Sequence, residues 1–354
     1  MSEIQLTPKR KVADYSQPYI IAELGSNHNG NMDLAKQLIL EAKNARADCV
    51  KFQSWSKDSI FSRKTYEDNY FIADDYRNRT DHTLESIVEE YSISEEELLQ
   101  MKRYADKIGI DCTSTPFSKK EVDFLVDVLD SPFIKVASMD LNNYPFLQYI
   151  ASKGRPVVLS TGLSELYEID KAIRTIENTG NFNIVILHCV SIYPPRDEQV
   201  NLNNIDTLRM IYPKYPIGFS DHTLGTSIPL ASTVKGVCLI EKHFTLDKNM
   251  EGWDHKVSAN PEEMQIICSE TKRIAAALGS KRISVQERPD RIESFRRSIV
   301  TRRLIKAGEI IRAEDLGFKR PATGIAPEYL DLVVGRTAKV DLEFDKPISK
   351  EQLI

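Results

Sequence analysis

Between Pro18 and Leu278 the chain alternates short apolar runs with longer amphipathic ones. The short runs are Tyr19–Glu23, Cys49–Gln53, Ile110–Thr115, Phe133–Ala137, Val157–Thr161, Ile184–His188, Ile217–Ser220 and Cys238–His243. Several are apolar without alternation, as strands of a parallel sheet covered on both faces must be. Between them, helical spacing predicts helices that include Asp33–Asn44, Ser94–Lys107, Lys119–Leu129, Ser164–Asn178 and Pro261–Ala277. Ser94 with Glu97 fits a capping box; Ser164 with Tyr167 does not, although Glu165 suits a helix's positive first turn. A series of eight strand–helix units without a strong break favours a closed (β/α)8 TIM barrel of the α/β class over an open sheet. The connection from Ser54 to Ile93 is long, charged and rich in tyrosine, and reads as a lid or a dimer contact.

The composition changes near Gly279. Residues 281–296, rich in Arg, Glu and Ser, read as a linker, and residues 297–354 carry turn signals at Ala307-Gly308, Pro321, Gly324, Pro327 and Gly335. That last stretch reads as a small β-rich module with short helical turns, marginal alone and stable when docked. The expected plan is a polar N-terminal extension (1–17), a barrel (18–280), a linker (281–296) and the module (297–354).

A formal net charge of −5 without a basic face argues against nucleic acid as a partner. It leaves room for a small anion, because local lysines outweigh a weakly acidic surface. No apolar run approaches the roughly 20 residues that span a bilayer, so no membrane partner is expected. The first residues lack the apolar segment of a secretion signal. The five cysteines form no CxxC pair, and Cys49, Cys112, Cys189 and Cys238 lie in or beside predicted strands, as reduced, buried thiols of a cytoplasmic protein would.

The ends of the predicted strands carry the chemistry, and in a barrel they share one mouth. Ser220-Asp221-His222-Thr223 and Glu241-Lys242-His243-Phe244-Thr245 place His222 and His243 on neighbouring strand ends, where two imidazoles can share a divalent cation. Lys51 and Lys135, with the hydroxyls of Thr115, Ser138 and Ser160, form a cationic, donor-rich set suited to phosphate and carboxylate. Glu23, Gln53, Tyr193 and Asp254 suit a polyol. Each residue also has a plainer reading. A buried lysine can serve a structural ion pair, a hydroxyl can cap a strand end, and a lone histidine is more often a hydrogen-bonded core residue. His28, His188 and His255 read as scaffold, His82 as solvated, and Trp253 as an exposed-loop aromatic that either packs or stacks on a sugar. The stretch Gly25–Gly30 does not match GxGxxG, which argues against a dinucleotide site.

With these residues in view, the chain resembles the sialic acid synthase family from Pro18 onward. The motifs are Glu23-Leu24-Gly25-Ser26-Asn27-His28-Asn29-Gly30, Lys51-Phe52-Gln53, Ser114-Thr115-Pro116-Phe117-Ser118, Ile134-Lys135-Val136-Ala137-Ser138, Leu159-Ser160-Thr161-Gly162 and the two histidine segments, the second running to Asp247. Arg297-Ser298 and Lys319-Arg320-Pro321-Ala322-Thr323-Gly324 resemble the antifreeze-like (SAF) domain that closes this family. The resemblance implies a cytoplasmic transferase condensing phosphoenolpyruvate with an N-acetylmannosamine-type sugar. It implies Mn2+, Mg2+ or Co2+ at His222 and His243. Phosphoenolpyruvate would sit on Lys51, Thr115, Lys135, Ser138, Ser160 and Ser191, and the open-chain sugar on Glu23, Gln53, Tyr193 and Asp254. Arg320 would reach the partner's barrel in a domain-swapped homodimer. Glu23 is the leading acid/base group and Glu241 the second. Ser191, Trp253 and Ala322 depart from the family's usual Asn, Pro and Gly, which bears on the acceptor's identity. Other readings are another phosphoenolpyruvate-dependent 2-keto sugar acid synthase acting on a phosphorylated or non-acetamido sugar (legionaminic, pseudaminic or KDN-type products), a metal-dependent pyruvate aldolase, and a non-catalytic sugar-binding or scaffold barrel.

Overall fold

The structure, a computed structural model, describes residues 2–68 and 83–354. The chain divides into two compact units, residues 1–279 and 280–354. The first residues, expected to be only an extension, form an antiparallel hairpin of β1 (Glu3–Thr7) and β2 (Arg10–Ala13). Ile4, Leu6 and Val12 are buried from it and join Tyr19, Ile21, Phe133, Val158, Val185 and Leu239 in one cluster. The hairpin therefore plugs the N-terminal end of the barrel. Asp14 fastens it there by accepting a hydrogen bond from the Ile217 amide at 2.9 Å.

The eight expected strands are all present in one parallel sheet. They are β3 (Tyr19–Gly25), β4 (Cys49–Ser54), β5 (Asp111–Pro116), β6 (Ile134–Val136), β7 (Val157–Ser160), β8 (Ile184–Cys189), β9 (Ile217–Asp221) and β10 (Leu239–His243). Ladders run in the order β5-β4-β3-β10-β9-β8-β7-β6. β5 and β6 lie side by side at the seam, where Thr113 Oγ1 donates to Phe133 O at 3.1 Å. A side chain closes the ring there because β6 is only three residues long.

The strands' two-residue period sorts the barrel interior into layers. Ile21, Cys49, Phe133, Val158, Leu187 and Leu239 belong to the apolar cluster against the hairpin. Two positions further along the same strands stand Glu23, Lys51, Lys135, Ser160, Cys189 and Glu241. Each of these six strands thus carries one buried apolar rung followed by one chemical rung, and the chemical rungs face the mouth.

The outer helices follow their sequence signals. Ser94 caps Glu95–Ile108 through a box with Glu97, and Asn31 Oδ1 accepts from Asp33 N and Leu34 N to start Met32–Asn44. The helix expected from Ser164 begins instead at Leu166, with Glu165 as its N-cap in a box with Glu168. The helix from Lys119 ends in a π turn, Phe124–Val128. Helices Tyr144–Ser152, Asn204–Ile211, Ser227–Val234 and Pro261–Leu278, the last as expected from Pro261, complete the described outer layer.

The connection from Ser54 to Ile93 is more ordered than a loop. It contains helices Lys57–Ile60, Arg63–Asp68 and Leu84–Tyr91, with Leu84, Ile87, Val88 and Tyr91 buried. His82 and the rest of 69–82 lie outside the described residues. Among the described residues no helix is long and apolar enough to cross a membrane.

The second unit holds β11 (Ser298–Thr301) and β12 (Leu316–Lys319), paired antiparallel, with 3-10 turns at Ala313–Asp315, Pro327–Leu332 and Lys350–Gln352. Ile299, Ile305, Ile311, Val333, Leu342 and Ile348 form its core. Part of the stretch read as a linker is a helix, Pro289–Phe295, whose Glu293 carbonyl accepts from the Ala322 amide at 2.7 Å. Pro289 at the first helical turn starts it, a signal the charged composition obscured.

Candidate active site

At the mouth of the first unit lies a cavity of about 390 Å³. It is lined by every site residue expected from that unit: Glu23, Lys51, Gln53, Thr115, Lys135, Ser138, Ser160, Ser191, Tyr193, His222, Glu241, His243 and Asp254. Arg320 belongs to the second unit, where its guanidinium lies over the Phe295 ring at 4.8 Å from the centroid.

The closed end is a four-charge cluster. Lys51 Nζ is in direct contact with Glu23 Oε2, donates to Thr115 Oγ1 at 2.7 Å, and lies 3.8 Å from Glu241 Oε2. Lys135 Nζ lies 3.5 Å from Glu241 Oε1 and donates to Ser160 Oγ at 2.7 Å. Glu241 therefore sits between both ammonium groups, and Ser220 Oγ adds a hydrogen bond to its Oε1 at 3.2 Å. The lysines are paired, as the plain reading requires, but they also face the cavity.

The two carboxyls are pushed apart. Burial raises Glu23 to about 7, with Glu241 adding to the shift and Lys51 opposing it. Burial would raise Glu241 too, but Lys135, Lys51 and His222 outweigh it and hold it below the usual carboxylate range. Two cations against one firmly ionised carboxylate leave this end receptive to an anion.

Around it stand hydroxyls and an amide. Gln53 Nε2 donates to Glu23 Oε1 at 3.2 Å, and Ser138 Oγ accepts from the Gly162 amide at 3.1 Å. Gly162 is required here: a Cβ on it would lie 2.4 Å from Ser191 Oγ and 2.7 Å from Ser138 Oγ. Its lack of a side chain lets both hydroxyls converge.

His222 and His243 come from adjacent strand ends with ring centroids 5.5 Å apart. Val190 O lies 2.8 Å from His222 Nδ1, which assigns a proton to Nδ1. Burial would lower this imidazole, but Cys189, the Val190 carbonyl and Asp221 outweigh it and raise it above its ordinary value, so a cation bound here would displace a proton. Burial, then His222 and the neighbouring lysines, hold His243 well below the ordinary imidazole range, so it is neutral. Its Nδ1 is buried, has no hydrogen-bond partner among the described residues and lies 3.6 Å from Asp254 Oδ2. Among the described residues no group of three or more His, Cys, Asp or Glu is arranged to hold a metal. Two imidazoles with an unsatisfied buried nitrogen still fit a divalent cation whose other positions are open to substrate and water oxygens.

Behind the histidines, Lys242 Nζ donates to Asp221 Oδ2 at 2.8 Å and to Thr223 O at 2.6 Å, fully buried. This pair ties β9 to β10 one residue before each histidine. Lys242→Met is expected to lower unfolding free energy by about 3 kcal/mol, because it strands Asp221 in the core. Lys242→Met/Asp221→Leu should recover most of that loss in urea titrations; a single variant as stable as the parent would remove the pair from this role.

His28, His188 and His255 are held by the scaffold. Gly30 N donates to His28 Nδ1 at 3.2 Å, His188 Nε2 lies 2.6 Å from Val200 O, and His255 bridges Thr245 Oγ1 at 2.7 Å and Asn29 Oδ1 at 3.0 Å. Trp253 is half-buried rather than exposed, edge-on against Trp55 at 5.1 Å. Lining residues not foreseen include Ser220, Cys189, Trp55 and Phe117. The two-residue period would have found each of them from His222, Leu187, Gln53 and Thr115. All the cysteines are free and buried. Burial would raise the Cys189 thiol, but His222, Ser138 and Lys135 bring it down to about 7.

The barrel with a cavity at its strand ends, and the small β-rich unit after it, place the chain in the nonulosonic acid synthase family. The chain belongs to the NeuB family, matched over residues 38–283, and carries a SAF domain over residues 296–354. It is 42% identical to an uncharacterized protein of Methanocaldococcus jannaschii, covering 98% of this chain and 97% of that one. It is 38% identical to the N,N'-diacetyllegionaminic acid synthase of Legionella pneumophila, covering 92% and 91%. Among solved structures, the N-acetylneuraminic acid synthetase of Leptospira borgpetersenii, in complex with citrate, matches with TM-score 0.70 and 32% identity, covering 80% of this chain and 93% of that one.

Proposed function

We propose that this protein condenses phosphoenolpyruvate with an N-acetylmannosamine-type sugar, giving a nine-carbon 2-keto acid and releasing phosphate by carbon–oxygen cleavage. The observation that carries the reading is the pair of buried lysines flanking Glu241 at the closed end of the cavity. Such an end suits a ligand bearing both phosphate and carboxylate.

In this reading Lys51, Lys135, Thr115, Ser138, Ser160 and Ser191 hold phosphoenolpyruvate. Gln53, Tyr193 and Asp254 hold the open-chain sugar. His222 and His243 would hold Mn2+, Mg2+ or Co2+, which when bound supplies Lewis-acid polarisation of the aldehyde. Glu23, protonated, gives its proton to the aldehyde oxygen as C3 of phosphoenolpyruvate bonds to C1 of the sugar. Glu241, ionised, takes a proton from the water that adds at C2, and the tetrahedral hemiketal phosphate then expels phosphate against Lys51 and Lys135. Two carboxyls with opposed shifts are the expected signature of an acid and a base in one site. The reading includes a homodimer in which Arg320 serves the other subunit's cavity.

The test is phosphate release from phosphoenolpyruvate with Mn2+ and a sugar panel, with product mass measured. No release with any sugar would sink the reading. The acid role also predicts a pH limb. With its carboxyl near 7, Glu23 carries its proton below that pH and loses it above. The rate should therefore fall as pH rises through about 7, and Glu23→Gln should remove that limb and about a hundredfold of rate. A rate that climbs through the same window would reverse the assignment from acid to base.

A further inference from the structure

The stretch read as a linker contains a helix, Pro289–Phe295, that belongs to the second unit's own framework. Its Glu293 carbonyl takes the Ala322 amide at 2.7 Å, which fixes the helix beside the turn that follows Arg320. Phe295, its last residue, keeps about half of its surface exposed. Two guanidiniums share that ring: Arg291, one turn earlier, lies 4.4 Å from its centroid, and Arg320 lies 4.8 Å from it. Residues four apart lie on one helix face, so Arg291 meets the ring by helical spacing. Arg320 arrives separately, from the end of β12.

Several cations of this unit are neutralised by carboxylates. Arg303 pairs with Glu309 and Asp315, Lys306 with Asp341, Lys319 with Asp345, and Arg288 with Asp290. Among the described residues neither the Arg291 nor the Arg320 guanidinium has an ion pair or a hydrogen bond; each rests on Phe295 instead. A ring face attracts a guanidinium without cancelling its charge, and it restricts a side chain that otherwise sweeps through solvent. Two like charges repel one another, so a shared ring is what gathers them. The ring therefore aims Arg320 and keeps a second positive charge beside it.

We infer that Phe295 is a positioning residue for Arg320, and that Arg291 doubles the charge Arg320 presents to an anionic substrate. This role rests on the reading above, in which Arg320 serves the other subunit's cavity and phosphoenolpyruvate is the anion. A carboxylate or phosphate approaching Arg320 then meets planar donors already in place and a doubled positive field.

Phosphate release by the intact protein supplies the test. Phe295→Leu should lower kcat/KM about tenfold, the range of one partly desolvated cation–π contact, while Phe295→Tyr stays close to the parent. Its melt should stay within about 5 °C of the parent, since the ring is half exposed. The loss should not add to that of Arg320→Ala, because a ring that acts only through the guanidinium then has nothing left to hold. Arg291→Ala should raise the KM for phosphoenolpyruvate a few-fold at low salt, and the difference should fade by about 0.5 M salt as screening removes the field. Calorimetry with phosphoenolpyruvate alone should rank the variants in the same order. Losses that add in Phe295→Leu/Arg320→Ala would overturn the ring's role and leave the condensation standing. So would a Phe295→Leu enzyme that matches the parent while Arg320→Ala is impaired. Binding in the expected order without phosphate release from any sugar would keep the ring's role and remove the condensation. An Arg320→Ala enzyme equal to the parent in both assays would remove Arg320 from the reaction, and Phe295 with it.

Discussion

Lys51→Met is expected to lower kcat/KM by about a thousandfold while the protein stays folded. Lys51 is the meeting point of the closed end, touching Glu23, Thr115 and the edge of Glu241. In the proposed reaction it also faces phosphoenolpyruvate. A fully desolvated charge pair lost on one side costs about 4 kcal/mol, which is about three decades of rate. The fold should survive because neither carboxyl is left as an uncompensated charge. Glu23 already sits near 7 through burial and can take a proton, and Glu241 keeps Lys135 at 3.5 Å. Phosphate release measures the first effect, and a thermal melt within about 5 °C of the parent checks the second. Mixing Lys51→Met with Arg320→Ala subunits should restore part of the activity, because one mixed dimer then holds an intact lysine facing an intact arginine. A Lys51→Met enzyme within tenfold of the parent would remove phosphoenolpyruvate from that end. Verified mixed dimers without recovery would confine Arg320 to its own chain.

Removing divalent metal should have an effect of comparable size. Chelation is expected to abolish phosphate release, and Mn2+ to restore it. Since the proposed site would draw its protein ligands from two imidazoles, His222→Ala or His243→Ala should weaken metal binding by at least about a hundredfold. Metal retained per chain after gel filtration reads this without reference to turnover. His243 is the sharper case, because its buried Nδ1 has no hydrogen-bond partner and its ring is held neutral. Full turnover in chelated, metal-free protein would end the proposal.

Much of this site was legible before folding because a parallel strand writes its geometry into sequence. In Leu239-Ile240-Glu241-Lys242-His243, alternate residues enter the barrel, so Glu241 and His243 had to share a face once the strand was recognised. The same rule was available for Trp55 beyond Gln53 and Ser220 before His222. They do not stand out along the chain because an indole and a hydroxyl carry little chemistry when read singly. The hairpin Glu3–Ala13 was missed for a different reason. Ile4, Leu6 and Val12 are three apolar positions among many charges, and only the barrel's open end makes them a core. Helix Pro289–Phe295 and the helices of 57–68 and 84–91 were hidden likewise. Short helices draw their stability from what they pack on, not from their own propensity.

Sequence alone determined the eight strands, their order, the polarity of their ends and most of the polar residues the cavity collects, because burial on both faces and the two-residue period are local properties of the chain. Tertiary structure decided what those residues became. Only the closed ring sets Glu241 between two lysines from different strands, lifts Glu23 while lowering its partner, and brings two tryptophans 198 positions apart in the chain (253 − 55) into edge-on contact. Charge coupling and shared desolvation act through space across a low-dielectric interior, so no spacing along the chain encodes them.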